Sequence, residues 1–338
     1  MLQNIKRKGF VSVVFVIDSR CFVFYNKKRK REGFLVRHVF IVNPAAGKGE
    51  KSLQIADSVH AFFRQSRPNE DYQVYQTSGP ADAERIARRE AQRGQPVRLY
   101  AVGGDGTLCE VLNGMFGYQN AQLAHVPAGS ANDFLRSWPQ RDYTDIEALV
   151  NGEVYPMDVI KFADRVALNT CCIGLDADVA RKMVKYKNWP FVSGPAAYLL
   201  AVADVFFHRI GKELDVVIQT ADGPVRRSGR FFFALAANGP YYGGGFKGAP
   251  AADPTDGQLN FVLVRKMSRL KVPFFLKKYK NGQPLPAWLR EDFCGSRMSV
   301  VCKDGAVVAA DGECSVQTQA VFELLAHAVS FVLPAEKK

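Results

Sequence analysis

Val97-Arg98-Leu99-Tyr100-Ala101-Val102 is a mostly apolar run that ends in Gly103-Gly104-Asp105-Gly106-Thr107 and passes directly into Leu108-Cys109-Glu110-Val111-Leu112. A short apolar run, a glycine-rich turn and a run with helical spacing together read as strand, turn and helix. The same unit recurs on both sides. Strands are expected at His38–Val42, Gln73–Gln76, Val97–Val102 and Leu123–Val126, with helices at Ser52–Gln65, Ala81–Arg93 and Thr107–Phe116. Alternation of this kind predicts a three-layer α/β domain with a mostly parallel sheet, spanning residues 37–157.

The texture changes near Asp158. Short strand-like segments dominate from there: Asp158–Phe162, Val166–Cys172, Leu214–Gln219, Phe231–Ala236, Leu259–Val264, Met298–Cys302 and Ala306–Ala310. One apolar helix is expected at Ala196–Arg209, and the strand-like stretch Val316–Leu333 closes the region. Residues 158–334 therefore read as a β-rich, antiparallel, sandwich-like second domain into which the terminal strand returns. If both domains contribute chemistry, the active site is expected in the cleft between them.

A chain of 338 residues with 47% hydrophobic content can bury a core of that size. Its seven cysteines are odd in number and include no CxxC pair, and its five histidines are scattered, so neither a disulfide framework nor a zinc cluster is expected. Without a secretory leader, the reading is cytoplasmic. Of the net charge of +12, residues 1–40 supply +8, from ten Lys or Arg against Asp18 and Glu32. The charge by itself cannot choose between nucleic acid and an anionic membrane face; no nucleic-acid motif speaks for the former, and peripheral association with an anionic membrane is the expectation. Asp18 and Arg20 interrupt the apolar segment Gly9–Tyr25, which makes a poor spanning helix. Residues 1–36 read as a basic anchor or as an extension that forms no part of the fold.

The turns at the strand ends carry the chemistry, because ligands of α/β sheets bind where strands end. Asn43-Pro44-Ala45-Ala46-Gly47-Lys48-Gly49 follows the first strand and is not a Walker A loop. Gly103–Thr107 fails the dinucleotide pattern, since Cys109 holds the third glycine position. What remains is bare backbone N–H at a helix start, suited to phosphate, with Asp105 placed for a nucleotide-bound cation. Pro127-Ala128-Gly129-Ser130-Ala131-Asn132-Asp133 adds hydroxyl, amide and carboxylate groups. Any one of these could be a plain strand-to-helix turn; a series of them at strand ends points to a site.

The series Asn43-Pro44-Ala45-Ala46-Gly47, Gly103 through Gly114 and Gly129-Ser130-Ala131-Asn132-Asp133-Phe134 resembles the diacylglycerol kinase catalytic-domain family, bacterial soluble lipid kinases related to sphingosine and ceramide kinases. The second half agrees, through Asn169–Ala177, Tyr242-Gly243-Gly244-Gly245, Asp256-Gly257-Gln258-Leu259 and Asp311-Gly312-Glu313. Cys109 stands where the family usually has Asn, and Ser130 where it has Thr. The resemblance implies ATP as phosphoryl donor, a membrane lipid hydroxyl as acceptor, diacylglycerol foremost, and Mg²⁺ as cofactor. It assigns ATP contacts to Asn43, Pro44, Ala45, Ala46, Gly47, Thr77, Gly103, Gly104, Asp105, Gly106, Thr107 and Ser130. Asp105 and Asp133 would organise the catalytic Mg²⁺, and Asp253, Asp256 and the Gln258 carbonyl a second, structural one. An Asx turn without metal is the alternative for that second group.

Glu313 would take the proton of the lipid hydroxyl, supported by Asp311, the two carboxylates pointing the same way if the segment is extended. As an isolated tripeptide, the same residues could form only a hairpin turn. Arg265 to Lys280 carries seven Lys or Arg and no acid, interleaved with apolar residues. That suits anionic headgroups, or equally a solvated basic helix. An NAD kinase-like enzyme and an inactive lipid-binding module are the rival readings, and homodimerisation is left open.

Overall fold

The computed structural model describes residues 14–17, 20–23 and 36–335, except 49, 130–131, 188, 190–191, 193–196, 198–199, 202–203 and 206–210. Residues 1–35 and 36–338 are separate units. In the first, β1 (Val14–Ile17) and β2 (Arg20–Val23) pair antiparallel.

In the second unit the chain alternates as its hydrophobic periodicity dictates. β3 (Arg37–Val42) leads to α1 (Glu50–Ser66), β4 (Tyr72–Gln76), α2 (Asp82–Ala91), β5 (Val97–Gly103), α3 (Asp105–Met115) and β6 (Ala121–Pro127). All seven residues of β5 are buried, as expected for a central strand covered on both faces. β4, β3, β5 and β6 are neighbours in that order, each pair parallel. Phe40 stacks on Tyr100 at 4.0 Å between ring centroids, at the centre of a core that reaches from Val39 to Leu333. Helix α3 lies close on α2, because Gly114 has no side chain where a Cβ would overlap the carbonyl oxygen of Glu84.

After the short helix α4 (Ile146–Val150) come β7 (Glu153–Phe162), β8 (Arg165–Ala167), β9 (Thr170–Gly174) and α5 (Leu175–Lys187). Then follow β10 (Lys212–Thr220), β11 (Gly223–Ala237), β12 (Leu259–Arg265), α6 (Val272–Lys280), β13 (Arg290–Gly295), β14 (Arg297–Ala310) and β15 (Glu313–Leu333). Alternation along β12, and along β11 beyond a register shift between Phe231 and Phe233, sorts their side chains onto two faces. Ala234, Ala236, Phe261 and Leu263 enter one cluster with Ile160 and Phe322, while Phe233, Leu235, Val262 and Val264 enter the other with Ala177 and Tyr279. β9 and β10 share the space between β11 and β14, β10 along Asp215–Gln219 and β9 along Cys171–Ile173.

Three expectations are corrected here. The two regions do not have separate sheets. Among the described residues one 13-stranded sheet runs from β13 to β4, joined where Phe331 of β15 pairs in parallel with Leu123 of β6. The mostly parallel description expected of residues 37–157 fits the pairs among β3–β6 but not the continuous sheet they belong to, whose other pairs, from β7 through β15, are antiparallel. The 21-residue β15 makes this possible: it pairs with β14 over Glu313–Glu323 and with β7 over Phe322–Leu333. A register shift between Leu325 and Val329, with His327 at φ 52°, lets it cross from one core to the other. Segments expected as two strands at Met298–Cys302 and Ala306–Ala310 are one strand with a shift between Val301 and Ala306. The helix expected at Ala196–Arg209 lies largely outside the described residues.

Substituting Gly114 by Ala should force α2 and α3 apart and cost about 1–3 kcal/mol. Urea denaturation of the variant checks this, and an unchanged midpoint would show that the helix contact is not tight.

Candidate active site

The three glycine turns meet because backbone replaces side chain at each contact. Gly47, at φ 62°, abuts the carbonyl oxygen of Ala128, and a Cβ on Gly129 would lie 2.7 Å from the Cα of Gly104. Ala128 and Gly129 both donate their N–H to the Gly103 carbonyl, at 2.8 and 3.1 Å. Asn43 caps its own loop by accepting the Ala45 N–H at 3.0 Å and donates Nδ2–H to the Thr107 hydroxyl at 3.1 Å. Thr77, half-buried, donates its N–H to Val42 at 2.9 Å, beside the start of that loop. Asn43 to Gly47, Thr77 and Gly103 to Thr107 thus form one rim. Ser130 lies outside the described residues.

Asp105 opens α3 next to Gly104, its N-cap. Its carboxylate accepts the backbone N–H of Asn132 at 3.0 Å and of Asp133 at 3.2 Å. Burial, then the charges of Asp133 and Asp311, push its pKa up to about 7, with those two N–H groups opposing. Asp133 is itself buried, accepts Arg136 Nε–H at 3.1 Å, and reaches the second half of the chain by accepting the Gly244 N–H at 2.6 Å. Two carboxylates of like charge, Asp133 buried and Asp105 half-buried, repel one another and fit a divalent cation that would relieve the repulsion. They would supply two ligands, with phosphate and water completing the set.

The second half closes the site through Asp311-Gly312. Both residues have positive φ, 44° and 92°, and join the paired residues Ala310 and Glu313, so the segment is a two-residue hairpin turn. The expectation that Asp311 and Glu313 point the same way is corrected by this turn. Asp311 is turned inward, and its carboxylate accepts the N–H of Leu168 at 2.6 Å, Asn169 at 3.1 Å and Thr170 at 2.8 Å. Burial foremost raises its pKa to about 6, and the three N–H bonds oppose the shift. Glu313 stands 47% exposed, its two oxygens held by Arg165 through Nε at 3.0 Å and Nη2 at 3.1 Å. The same guanidinium donates Nη1–H to Glu84 of α2 at 3.0 Å.

Arg165 escaped sequence reasoning because a lone arginine in a short strand carries no spacing signal. Asn113 is similar. From α3 it donates to the Val166 carbonyl at 2.9 Å and accepts the Val166 N–H at 3.0 Å, copying a strand's pairing pattern. Cys109 is buried beneath them, and burial pushes its thiol well above the usual range, the behaviour of an inert side chain.

The proposed second cation group gathers elsewhere. Asp253 accepts the Thr255 N–H at 2.9 Å and hydroxyl at 2.7 Å, an Asx turn, and Asp256 accepts the Gln258 N–H at 2.9 Å. Beneath them the buried Asp158 accepts the Gly257 and His327 N–H groups, both at 2.7 Å. Behind the Tyr242–Gly245 loop, Tyr242 donates its hydroxyl to Asp176 and sits 2.9 Å from the Tyr279 hydroxyl. Burial raises Asp176 to about 6.

Residues 37–162 match the model of the diacylglycerol kinase catalytic domain, and residues 169–333 that of the YegS C-terminal NAD kinase β-sandwich-like domain. The chain carries a diacylglycerol kinase catalytic domain followed by a YegS-type C-terminal domain. It is 28% identical over 260 residues to YtlR of Bacillus subtilis, a candidate lipid kinase, covering 71% of this chain and 79% of that one. A candidate lipid kinase of Staphylococcus epidermidis is 25% identical over 244 residues, 71% of this chain and 77% of that one. Among solved structures, a candidate diacylglycerol kinase from Bacillus anthracis shares the fold with a TM-score of 0.68 at 21% identity, covering 90% of this chain and 98% of that chain.

Asp176→Asn keeps an acceptor for Tyr242 but cannot ionise. The wild-type carboxyl, with its folded pKa raised, stabilises the fold below about pH 4, and that contribution is lost as pH rises to about 6. The melting temperature of the variant minus that of the wild type should therefore climb between about pH 4 and 6 and level off above. A flat difference would contradict the buried titration.

Proposed function

We propose that the protein transfers the γ-phosphoryl group of ATP to the hydroxyl of a membrane lipid, with diacylglycerol as the acceptor and phosphatidic acid as the product. One observation carries this reading. The turns after β3, β5 and β6 meet through Gly47, Ala128, Gly104 and Gly129, Asp133 of the third turn accepts the Gly244 N–H from the second half, and Arg165, which holds Glu313, also holds Glu84 of α2.

Phosphoryl transfer needs charge neutralisation and positioning more than covalent help. The bare N–H groups of the glycine turns are suited to the phosphates, and Asn43 and Thr107, already bonded to each other, brace that rim. Asp105 and Asp133 would hold Mg²⁺, which supplies positive charge against the phosphate oxygens. Glu313 is the general base. It takes the proton of the lipid hydroxyl while the oxygen bonds to the γ-phosphorus and ADP leaves with the electrons of the broken bond. Arg165 holds Glu313 in place at the mouth of the pocket. Asp311 is a positioning residue, its oxygens committed to the three N–H groups of Leu168–Thr170. The Asp253–Gln258 loop would hold a second, structural Mg²⁺ beside Asp158.

A competing acceptor is NAD, given the description of the domain matched by residues 169–333. Supporting the lipid are the named relatives and the joint presence of the Asn43–Gly47, Tyr242–Gly245 and Asp311–Glu313 elements.

Replacing Glu313 by Gln should lower turnover roughly 10²- to 10⁴-fold while leaving ATP affinity and melting temperature near wild type. Asp311→Asn should lower both turnover and melting temperature, since an amide presents N–H to N–H where the carboxylate accepted. Near-normal turnover of the Gln variant would remove the base assignment. Asp105→Asn should abolish Mg²⁺-dependent turnover with the fold intact, as read by circular dichroism, and wild-type activity there would refute the cation role.

A further inference from the structure

The segment Arg265–Lys280 and its return through Trp288 form an exposed face of unusual composition. A tight turn at Arg269–Lys271 raises Leu270 to 93% exposure, and on α6 Phe274 is 63% exposed, next to Trp288 at 53%. These side chains form one patch. Phe274 meets Phe275 edge-on at 5.1 Å between centroids, and Phe275 meets Trp288 at 5.8 Å. Cations border it: Lys278 Nζ lies 4.9 Å from the Phe274 ring and Lys271 Nζ 5.9 Å from the Trp288 ring. The opposite side of α6 is anchored, with Tyr279 buried against Phe233 at 5.5 Å.

Contiguous exposed apolar side chains are disfavoured in water, and their presence marks a surface that meets something. The seven cations and no acids between Arg265 and Lys280 decide what. A second copy would bring the same positive face against itself. An anionic bilayer offers a boundary for Leu270, Phe274 and Trp288 and phosphates for the lysines. We propose that this face is the membrane-docking surface of the protein, with those three side chains entering the headgroup region and Lys271 and Lys278 meeting anionic lipid. Tyr279 shares a hydroxyl contact with Tyr242, which opens the loop whose Gly244 holds Asp133, so the docking face and the carboxylate pocket rest on one support. The docking surface deepens the lipid-kinase reading and rests on it only for the identity of the substrate that the membrane holds.

The test is co-sedimentation of the full chain, without ATP, with vesicles of phosphatidylcholine alone or mixed with phosphatidylglycerol. Wild type should bind the anionic vesicles preferentially. Leu270→Glu, at a position packed against nothing larger than solvent, should weaken that binding at least about tenfold, and Lys271→Gln with Lys278→Gln roughly 30-fold. Turnover of both variants on a short-chain diacylglycerol below its micellar concentration should be unchanged. Wild-type vesicle binding by both variants, or no preference for anionic vesicles in the wild type, would overturn the proposal. Loss of self-association by Leu270→Glu in sedimentation velocity, with vesicle binding intact, would also overturn it and give the face to a second copy. Vesicle binding that follows these substitutions without phosphoryl transfer to any lipid would sink the kinase reading alone.

Discussion

The carboxylate of Asp311, buried and bonded to three successive backbone N–H groups, fixes where the β14–β15 hairpin sits against the start of β9. The hairpin in turn fixes Glu313 against Arg165, and Arg165 reaches Glu84 on α2. On the other side, Asp105 is held by the N–H groups of Asn132 and Asp133, and Asp133 accepts the Gly244 N–H from the second half. Removing the Asp311 interaction would release the start of β15, the strand that joins the two halves of the sheet.

Burial makes this arrangement costly. Asp105, Asp176 and Asp311 all have pKa values raised by desolvation, to about 7, 6 and 6, so near neutral pH each destabilises the fold when ionised. Such costs persist where charge is needed for binding or catalysis. The glycine contacts follow the same logic, since Gly47, Gly103, Gly104 and Gly129 give up side-chain packing so that backbone N–H groups can crowd into one place.

The alternation from β3 to β6 was legible because the helices bury one regular face and the central strands are short apolar runs buried on both faces, and the turns at Asn43–Gly47, Gly103–Thr107 and Ala128–Asp133 were legible because glycine runs at strand ends have few other uses. The hairpin at Asp311-Gly312 was written in a dipeptide that favours positive φ at both positions, yet reading it as extended placed both carboxylates on one side. Beyond the reach of local pattern were Arg165, Asn113 and the crossing of β15, each defined by a partner at least about 50 residues away in sequence. Period-2 alternation in β15 is the same whether it serves one core or two, so the joining of the sheets could not be read from it.

The central claim is that phosphoryl leaves ATP for a lipid hydroxyl, and following the label itself tests it most directly. The protein is incubated with γ-³²P-ATP and Mg²⁺ in mixed micelles containing diacylglycerol, with a polyprenol, a sphingoid base and NAD as parallel acceptors. The label should appear in phosphatidic acid, or failing that in another phosphorylated lipid, and should vanish in the Asp105→Asn protein. Label found only in inorganic phosphate or in NADP would contradict the account.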